Sequence, residues 1–167
     1  MRANVLLITD THLGQGQAPR LVDTLGSLLH DVDLIVHAGD ITDDSILEAL
    51  RVFAPVHAVL GNNDRGMVLP ERIVVDVGGV EVGVVHDSGA SAGRTARLRR
   101  WFPTADVVVF GHSHMPWHVV DRSPNGHEQH HVNPGSAIQR RQAPRRTAAV
   151  LEIVDGTVMS VRHVPLT

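Results

Sequence analysis

Hydrophobic and polar positions follow two rhythms along this chain, and one gives way to the other near residue 61. In the N-terminal part, short apolar runs alternate with stretches of helical period. Asn4–Thr9 is a continuous apolar run, the pattern of a strand buried on both faces. Pro19–His30 predicts a helix, with Leu21, Leu25, Leu28 and Leu29 on one stripe and Pro19 near its first turn. Asp33–Ala38 is the next strand. Thr42 to Asp44 offer N-cap side chains for a helix over Ser45–Phe53, whose Ile46, Leu47 and Leu50 face inward. Val56–Leu60 is the third strand. This βαβαβ order implies right-handed crossovers and a parallel sheet.

Beyond the Gly61–Gly66 loop the chain is mostly strand. Arg72–Val77 and Val80–His86 flank Gly78-Gly79, a two-residue hairpin signal. A helix is expected over Gly93–Phe102, then a strand over Asp106–Phe110. Trp117–Arg122 and His127–Val132 flank a turn, as do Thr147–Val154 and Thr157–Val164 around Asp155-Gly156. Asn133–Arg146 has no period and reads as a loop. The expected fold class is α/β: two packed mixed β-sheets flanked by helices, a four-layer α-β-β-α sandwich forming one domain over residues 1–167.

Five of the apolar runs stop at metal-ligating residues. Val5–Ile8 leads to Asp10-Thr11-His12, Leu34–Val36 to Gly39-Asp40, and Val56–Leu60 to Gly61-Asn62-Asn63-Asp64. Val80–Val85 leads to His86, and Val107–Phe110 to Gly111-His112-Ser113-His114. Packing gives no reason for this, whereas strand tips gathered side by side around metal ions would. Asp10/His12 and His112/His114 each stand two apart, a spacing that in extended chain points both side chains to one side. Asp40 could bridge two cations, Asn62 offers a carbonyl oxygen, and His86 an imidazole. Seven such ligands are too many for one zinc ion and suit two divalent ions about 3.5–4 Å apart. Nitrogen and oxygen donors without thiolate fit manganese, iron or zinc. Two such ions acidify a water held between them and offset charge on phosphoryl oxygens, so phosphate ester hydrolysis is the chemistry this pattern serves best.

Composition narrows the choice. The chain has 12 histidines but no lysine, tyrosine or cysteine, which removes Schiff-base and thiol chemistry. A net charge of −3 disfavours nucleic acid as a partner, and no run approaches transmembrane length, so no membrane partner is expected. The N-terminal apolar stretch is too short for a signal segment, and a cytoplasmic location is the default expectation.

The ordered series Asp-x-His, Gly-Asp, Gly-Asn-x-Asp, His, Gly-His-x-His resembles the calcineurin-like metallophosphoesterase superfamily, in particular its small YfcE-type phosphodiesterase branch. Asn133-Pro134-Gly135-Ser136 resembles the loop that follows the last ligand pair in that branch. The resemblance spans residues 4 to about 140. It implies a first metal on Asp10, His12 and His114, and a second on Asn62, His86 and His112, with Asp40 bridging. It implies two divalent ions, manganese foremost and iron, zinc or nickel as alternatives. The expected activity is a phosphodiesterase in which a hydroxide held between the ions attacks, with Asp40, Asn62 and His86 as the catalytic ligands. The substrate expected is a small phosphodiester or nucleotide-like molecule, contacted by Asn63, Asn133, Ser136 and Arg141; homo-oligomerisation is left open.

Two positions depart from the superfamily. Many members have His where this chain has Asn63, and Asn donates no proton, which favours diesters with good leaving groups. Asp87 follows His86 where the branch usually has Gly. A retromer subunit of this superfamily resembles these enzymes in fold yet acts as a non-catalytic scaffold, but seven competent ligands here favour an enzyme. Of the other histidines, His30 is expected to close a helix and His37 and His57 to pack within strands. His118, His127, His130 and His131 are expected at the surface of the late hairpin, and His163 has no motif. Arg94, Arg97, Arg99 and Arg100 read as a solvated helix face. Arg140, Arg141, Arg145 and Arg146 lie where they could approach a phosphate.

Overall fold

The computed structural model describes all 167 residues, as two five-stranded sheets packed face to face with helices outside. Strands β1 (Arg2–Ile8), β2 (Leu34–His37) and β3 (Val56–Ala58) run parallel, joined through α1 (Ala18–Leu25) and α2 (Asp44–Arg51). Two antiparallel strands, β9 (Arg146–Val154) and β10 (Thr157–Leu166), complete the first sheet in the order β10-β9-β1-β2-β3. The second sheet, β4-β5-β6-β8-β7, contains β4 (Arg72–Val77), β5 (Val80–Val85), β6 (Val107–Val109), β7 (Trp117–Arg122) and β8 (Glu128–Asn133). Helix α3 (Arg94–Trp101) covers its outer face. The layered α/β sandwich expected from the sequence is therefore the observed fold.

Alternate residues of the central strands serve two cores, as strand geometry requires. Val5, Leu7, Val36, Val82, Val84, Val107, Val109 and Val132 meet between the sheets. Leu6, Ile8 and Ile35 turn outward to Leu21, Leu25, Ile46, Leu47 and Leu50 of α1 and α2. The side chain of Asp43 caps α2 by accepting from the Ser45 N–H at 2.9 Å. The helix expected over Pro19–His30 is shorter. It ends at Leu25, where Gly26 takes φ +51, and continues as a 3-10 turn over Gly26–Leu29. β3 also stops early, although Val59 N still donates to His37 O at 3.2 Å.

Two surface expectations fail. Three of the four α3 arginines are not a solvated face, and only Arg100 is exposed: Arg99 Nε donates to Asp121 at 2.7 Å and Arg97 Nε to Ser88 O at 2.7 Å. Arg94 lies over Phe110 and Trp117, 5.2 Å from each ring centroid. His131 is fully buried. Gln129 Nε2 donates to the Phe102 and Ala105 carbonyls, which leaves its oxygen to accept from His131 Nε2 at 2.7 Å. Burial holds His131 neutral, pushing it down to about 4. The unfolded chain binds this proton first, near 6.5, so stability present above that pH is lost as pH falls toward 4. Wild-type protein should lose ~2 kcal/mol more than His131→Gln between pH 7.5 and 5. Urea melts at both pH values check this; parallel losses in the two proteins would refute it.

Candidate metal centre

The carboxyl ends of β1, β2 and β3 in one sheet face those of β5 and β6 in the other, and the loops that leave them converge. The ligand tips thus lie on two facing sheets rather than side by side in one, which explains how residues far apart in sequence meet. Glycines permit the close approach. A Cβ on Gly61 would fall on the Asp40 backbone and carboxylate, and one on Gly111 would fall on Thr9 Oγ1 and Asp10 Oδ2.

Asp10, His12, Asp40, His112 and His114 all adopt positive φ, between 46° and 72°. Side chains two apart therefore reach a common point through left-handed turns, not through extended chain as the spacing suggested. A non-glycine residue held there costs on the order of 1–3 kcal/mol, and such residues concentrate at functional sites. Surrounding hydrogen bonds hold the turns in place. Asp10 N donates to Gly39 O at 2.9 Å and His12 N to Asp40 O at 3.0 Å. Ser136 Oγ donates to Asp10 O at 2.7 Å.

The side chains are oriented for coordination. His86 Nδ1 donates to Ala38 O at 2.8 Å, and His114 Nδ1 donates to Gln139 O, so each ring turns its Nε2 inward. Fixing the outer nitrogen on a carbonyl is how proteins orient metal-binding histidines. Asp10 Oδ2 accepts from Thr9 Oγ1 at 2.8 Å and from His112 N at 2.9 Å. Asp10 Oδ1, His12 Nε2 and His114 Nε2 are buried and have no hydrogen-bond partner. Orphaned polar atoms of this kind are costly unless something binds them, and Oδ1 lies 3.7 Å from His12 Nε2 and 3.4 Å from His114 Nε2. A divalent cation satisfies all three, so the residues fit a metal.

Two ligand sets emerge, Asp10-His12-His114 and Asp10-Asp40-His86, and within each the donor atoms lie within 4.8 Å of one another. Asp40 Oδ2 stands 3.3 Å from His12 Nε2 and 3.5 Å from His86 Nε2, between the sets. Asp10 Oδ1 is farther from both, at 3.7 and 3.9 Å, which favours Asp40 over Asp10 as the bridge. Asn62 Oδ1 lies 2.9 Å from His86 Nε2 and 3.2 Å from His112 Nδ1, so the structure brings these three together beside the second set. Burial works against ionisation of Asp10, but the imidazoles of His114 and His12 outweigh it and hold the carboxyl well below the usual range. Asp40 is likewise held low against burial by His86 and Asn63, and Asp40 in turn raises His86 despite its own burial.

The expected substrate contacts sit differently. Asn133 and Ser136 are fully buried. Asn133 Nδ2 donates to Gly111 O and Ser113 Oγ, both at 3.1 Å, and its oxygen accepts from Gly135 N. Both residues brace ligand loops from inside and do not face the cleft, because a buried amide or hydroxyl must be paired within the protein. Asn63 donates its backbone N–H and Nδ2 to Asp40 at 2.9 and 2.8 Å, so it holds the central carboxylate. Arg141 is exposed, at φ +47, two residues beyond the carbonyl that holds His114.

Two residues had roles that sequence reasoning did not supply. Asp64 is buried and accepts from the N–H groups of Gly61 (2.7 Å), Asp40 (3.0 Å) and Thr42 (2.7 Å), tying together the loops after β2 and β3. His37 accepts from Gly39 N at Nδ1 (3.2 Å) and donates from Nε2 to Thr11 Oγ1 (3.0 Å), linking the loops after β1 and β2. Burial keeps it neutral, pushed down to about 3. Its position inside an apolar strand, three residues before Asp40, was the available signal. Asp87 is exposed and accepts from Gly89 N at 2.8 Å, a local turn.

Comparison with known proteins agrees with this geometry. A Methanothermobacter thermautotrophicus protein described as a probable metallophosphoesterase is 36% identical over 115 residues, 66% of each chain. The match thus covers just under two thirds of that relative's length. A Thermotoga maritima protein solved by NMR is 30% identical, with a TM-score of 0.72 over 98% of this chain and 99% of that one. Vps29 from Entamoeba histolytica, crystallised with zinc, shares the fold at 23% identity and a TM-score of 0.67, over 97% of this chain and 98% of its own. The profile of the calcineurin-like phosphoesterase superfamily domain matches residues 3–156. The strand-tip ligands, the two facing sheets and this match together place the chain in the calcineurin-like phosphoesterase superfamily.

Proposed function

We propose that this protein is a two-metal phosphodiesterase acting on small phosphate diesters. The observation that carries the reading is the group of buried, unpartnered donors, Asp10 Oδ1, His12 Nε2 and His114 Nε2, next to a second ligand set that shares Asp10. Asp10, His12 and His114 would hold one ion, Asn62, His86 and His112 the other, and Asp40 would bridge. When bound, the ions supply an acidified water and neutralise charge on the phosphoryl oxygens. The donor set fits manganese, iron, zinc or nickel without choosing among them; manganese is proposed first because the family resemblance implies it.

The chain's own residues provide orientation. Asn63 fixes the Asp40 carboxylate through two hydrogen bonds, and the carbonyls of Ala38 and Gln139 keep His86 and His114 facing inward. Asn63 is no proton donor to a departing alkoxide, so the reading favours diesters with good leaving groups over monoesters. Arg141, exposed beside the His114 support, is the proposed phosphate contact. The proposed setting is cytoplasmic; no helix is long and apolar enough to cross a membrane.

The test is hydrolysis of bis(p-nitrophenyl) phosphate and p-nitrophenyl phosphate by Mn2+-loaded protein. Diester turnover should exceed monoester turnover, and chelation should abolish both. Asn63→His should raise the monoester-to-diester rate ratio on the order of tenfold, the lower range of general acid contributions. An unchanged ratio would sink the account of position 63. The scaffold reading draws on the shared Vps29 fold; it predicts no turnover with both metals bound.

A further inference from the structure

Beside the second ligand set, a groove of about 420 Å³ opens where edge strand β3 of one sheet faces edge strand β4 of the other. Leu60 and Val85 are its apolar floor, and Asn62 and His86 form the wall toward the metal centre. Glu71, Arg72 and Asp87 stand exposed around it. Its size falls within the ~300–1,000 Å³ usual for small-ligand sites. Arg72 pairs across the sheet with Val85, one residue before His86, so its position is tied to the metal side. Its guanidinium carbon lies over the Trp101 ring, 3.9 Å from the centroid, and the group takes part in none of the protein's ion pairs.

The chemistry of the lining selects among ester arms. The lining residues include no Phe or Trp, so the groove offers no phenyl or indole face to stack on a base or aryl ring. The two exposed carboxylates, Glu71 and Asp87, disfavour an arm that carries a further anion. Carboxylates accept two hydroxyl protons at once, and a guanidinium donates to hydroxyl oxygens. Neighbouring hydroxyls on a neutral arm match both groups.

We propose that this groove is a subsite for a neutral, polyhydroxylated alcohol arm of the diester, glycerol or ribose in kind, with Glu71, Arg72 and Asp87 as its specificity-determining residues. The proposal deepens the phosphodiesterase reading and rests on it for the position of the phosphate.

The experiment is calorimetric titration of Mn2+-loaded protein with glycerol 3-phosphate, ribose 5-phosphate, n-propyl phosphate and 3-phosphoglycerate, with metal content measured for every sample. At least one diol-bearing ester should bind ~10-fold tighter than n-propyl phosphate, the gain expected from charge-assisted hydrogen bonds. The tighter of the two identifies the arm. 3-Phosphoglycerate should bind more weakly than glycerol 3-phosphate. In Glu71→Ala and Arg72→Ala, the preference over n-propyl phosphate should shrink to within ~2-fold. Equal affinities in wild type, a preference that survives both substitutions, or no ester binding at all would each overturn the subsite. Hydrolysis of bis(p-nitrophenyl) phosphate by the same samples tests the parent reading separately. Turnover without a diol preference removes only the subsite; a diol preference without turnover removes only the diesterase assignment.

Discussion

Asp40→Asn should cut Mn2+-dependent diester hydrolysis by about 10³-fold or more, equivalent to ~4 kcal/mol of lost barrier reduction, while leaving the fold in place. The side chains are nearly isosteric, so packing changes little. What changes is charge. Asp40 Oδ2 sits 3.3 Å from His12 and 3.5 Å from His86, where the proposed bridging carboxylate would serve both ions. An amide there offers one weaker acceptor oxygen. Its NH2 would also oppose Asn63 Nδ2, which now donates to the carboxylate at 2.8 Å. Metal analysis should find fewer than two ions per chain in the variant, with an unchanged far-UV circular dichroism spectrum. Full activity with two ions retained would disprove the bridging assignment.

The second large effect is on stability and reaches the site indirectly. Asp64→Ala removes the single acceptor of three N–H groups, those of Gly61, Asp40 and Thr42. Each buried donor left unpaired costs ~1–3 kcal/mol. Relaxation and entering water should limit the total to about 3–5 kcal/mol, the range of severe single substitutions. For a chain of this size the melting temperature should fall on the order of 10 °C. Because the same N–H groups position Asp40 and the Asn62 loop, Mn2+ affinity should fall with it, by ~10–100-fold as for other residues that orient ligands. Asp64→Asn, which keeps one acceptor oxygen and the same shape, should recover part of both losses. Thermal melts and metal titrations of the pair check this. A melting temperature for Asp64→Ala within 2 °C of wild type would show that these hydrogen bonds do not anchor the loops.

Several features were legible because they are local. The continuous apolar run Val5–Ile8 marks a doubly buried strand, the Val-rich stretch Val80–Val85 marks another, and the helical stripe of Leu21 and Leu25 marks α1. The ligand residues show at strand ends because nothing about packing would put Asp or His there. Side chains whose meaning depends on long-range partners were misread. Arg97 and Arg99 have the spacing of a solvated face, yet they meet carbonyls of the loop after His86 and the carboxylate of Asp121. Asn133 and Ser136 look like exposed turn residues but lie buried beneath the loops they brace, with Ser136 bonded to Asp10 across 126 positions of sequence. His131 looks like a surface strand residue; its partner Gln129 is engaged by α3-side carbonyls that no local pattern reveals.

By itself, the sequence determined the secondary-structure order, the sandwich class, the superfamily and the identity of the candidate ligands. Hydrophobic period and donor chemistry are properties of each residue and its near neighbours, and they can be read one at a time. Only the tertiary structure decided that the five tips come from two facing sheets, and that Asp10, His12, Asp40, His112 and His114 turn through left-handed backbone to meet. It also decided that Asp64 and His37 hold the loops together. Those outcomes depend on close approach between segments distant in the chain. The energy that stabilises a strained turn or a buried carboxylate comes from its partners, and a partner exists only once the chain is folded.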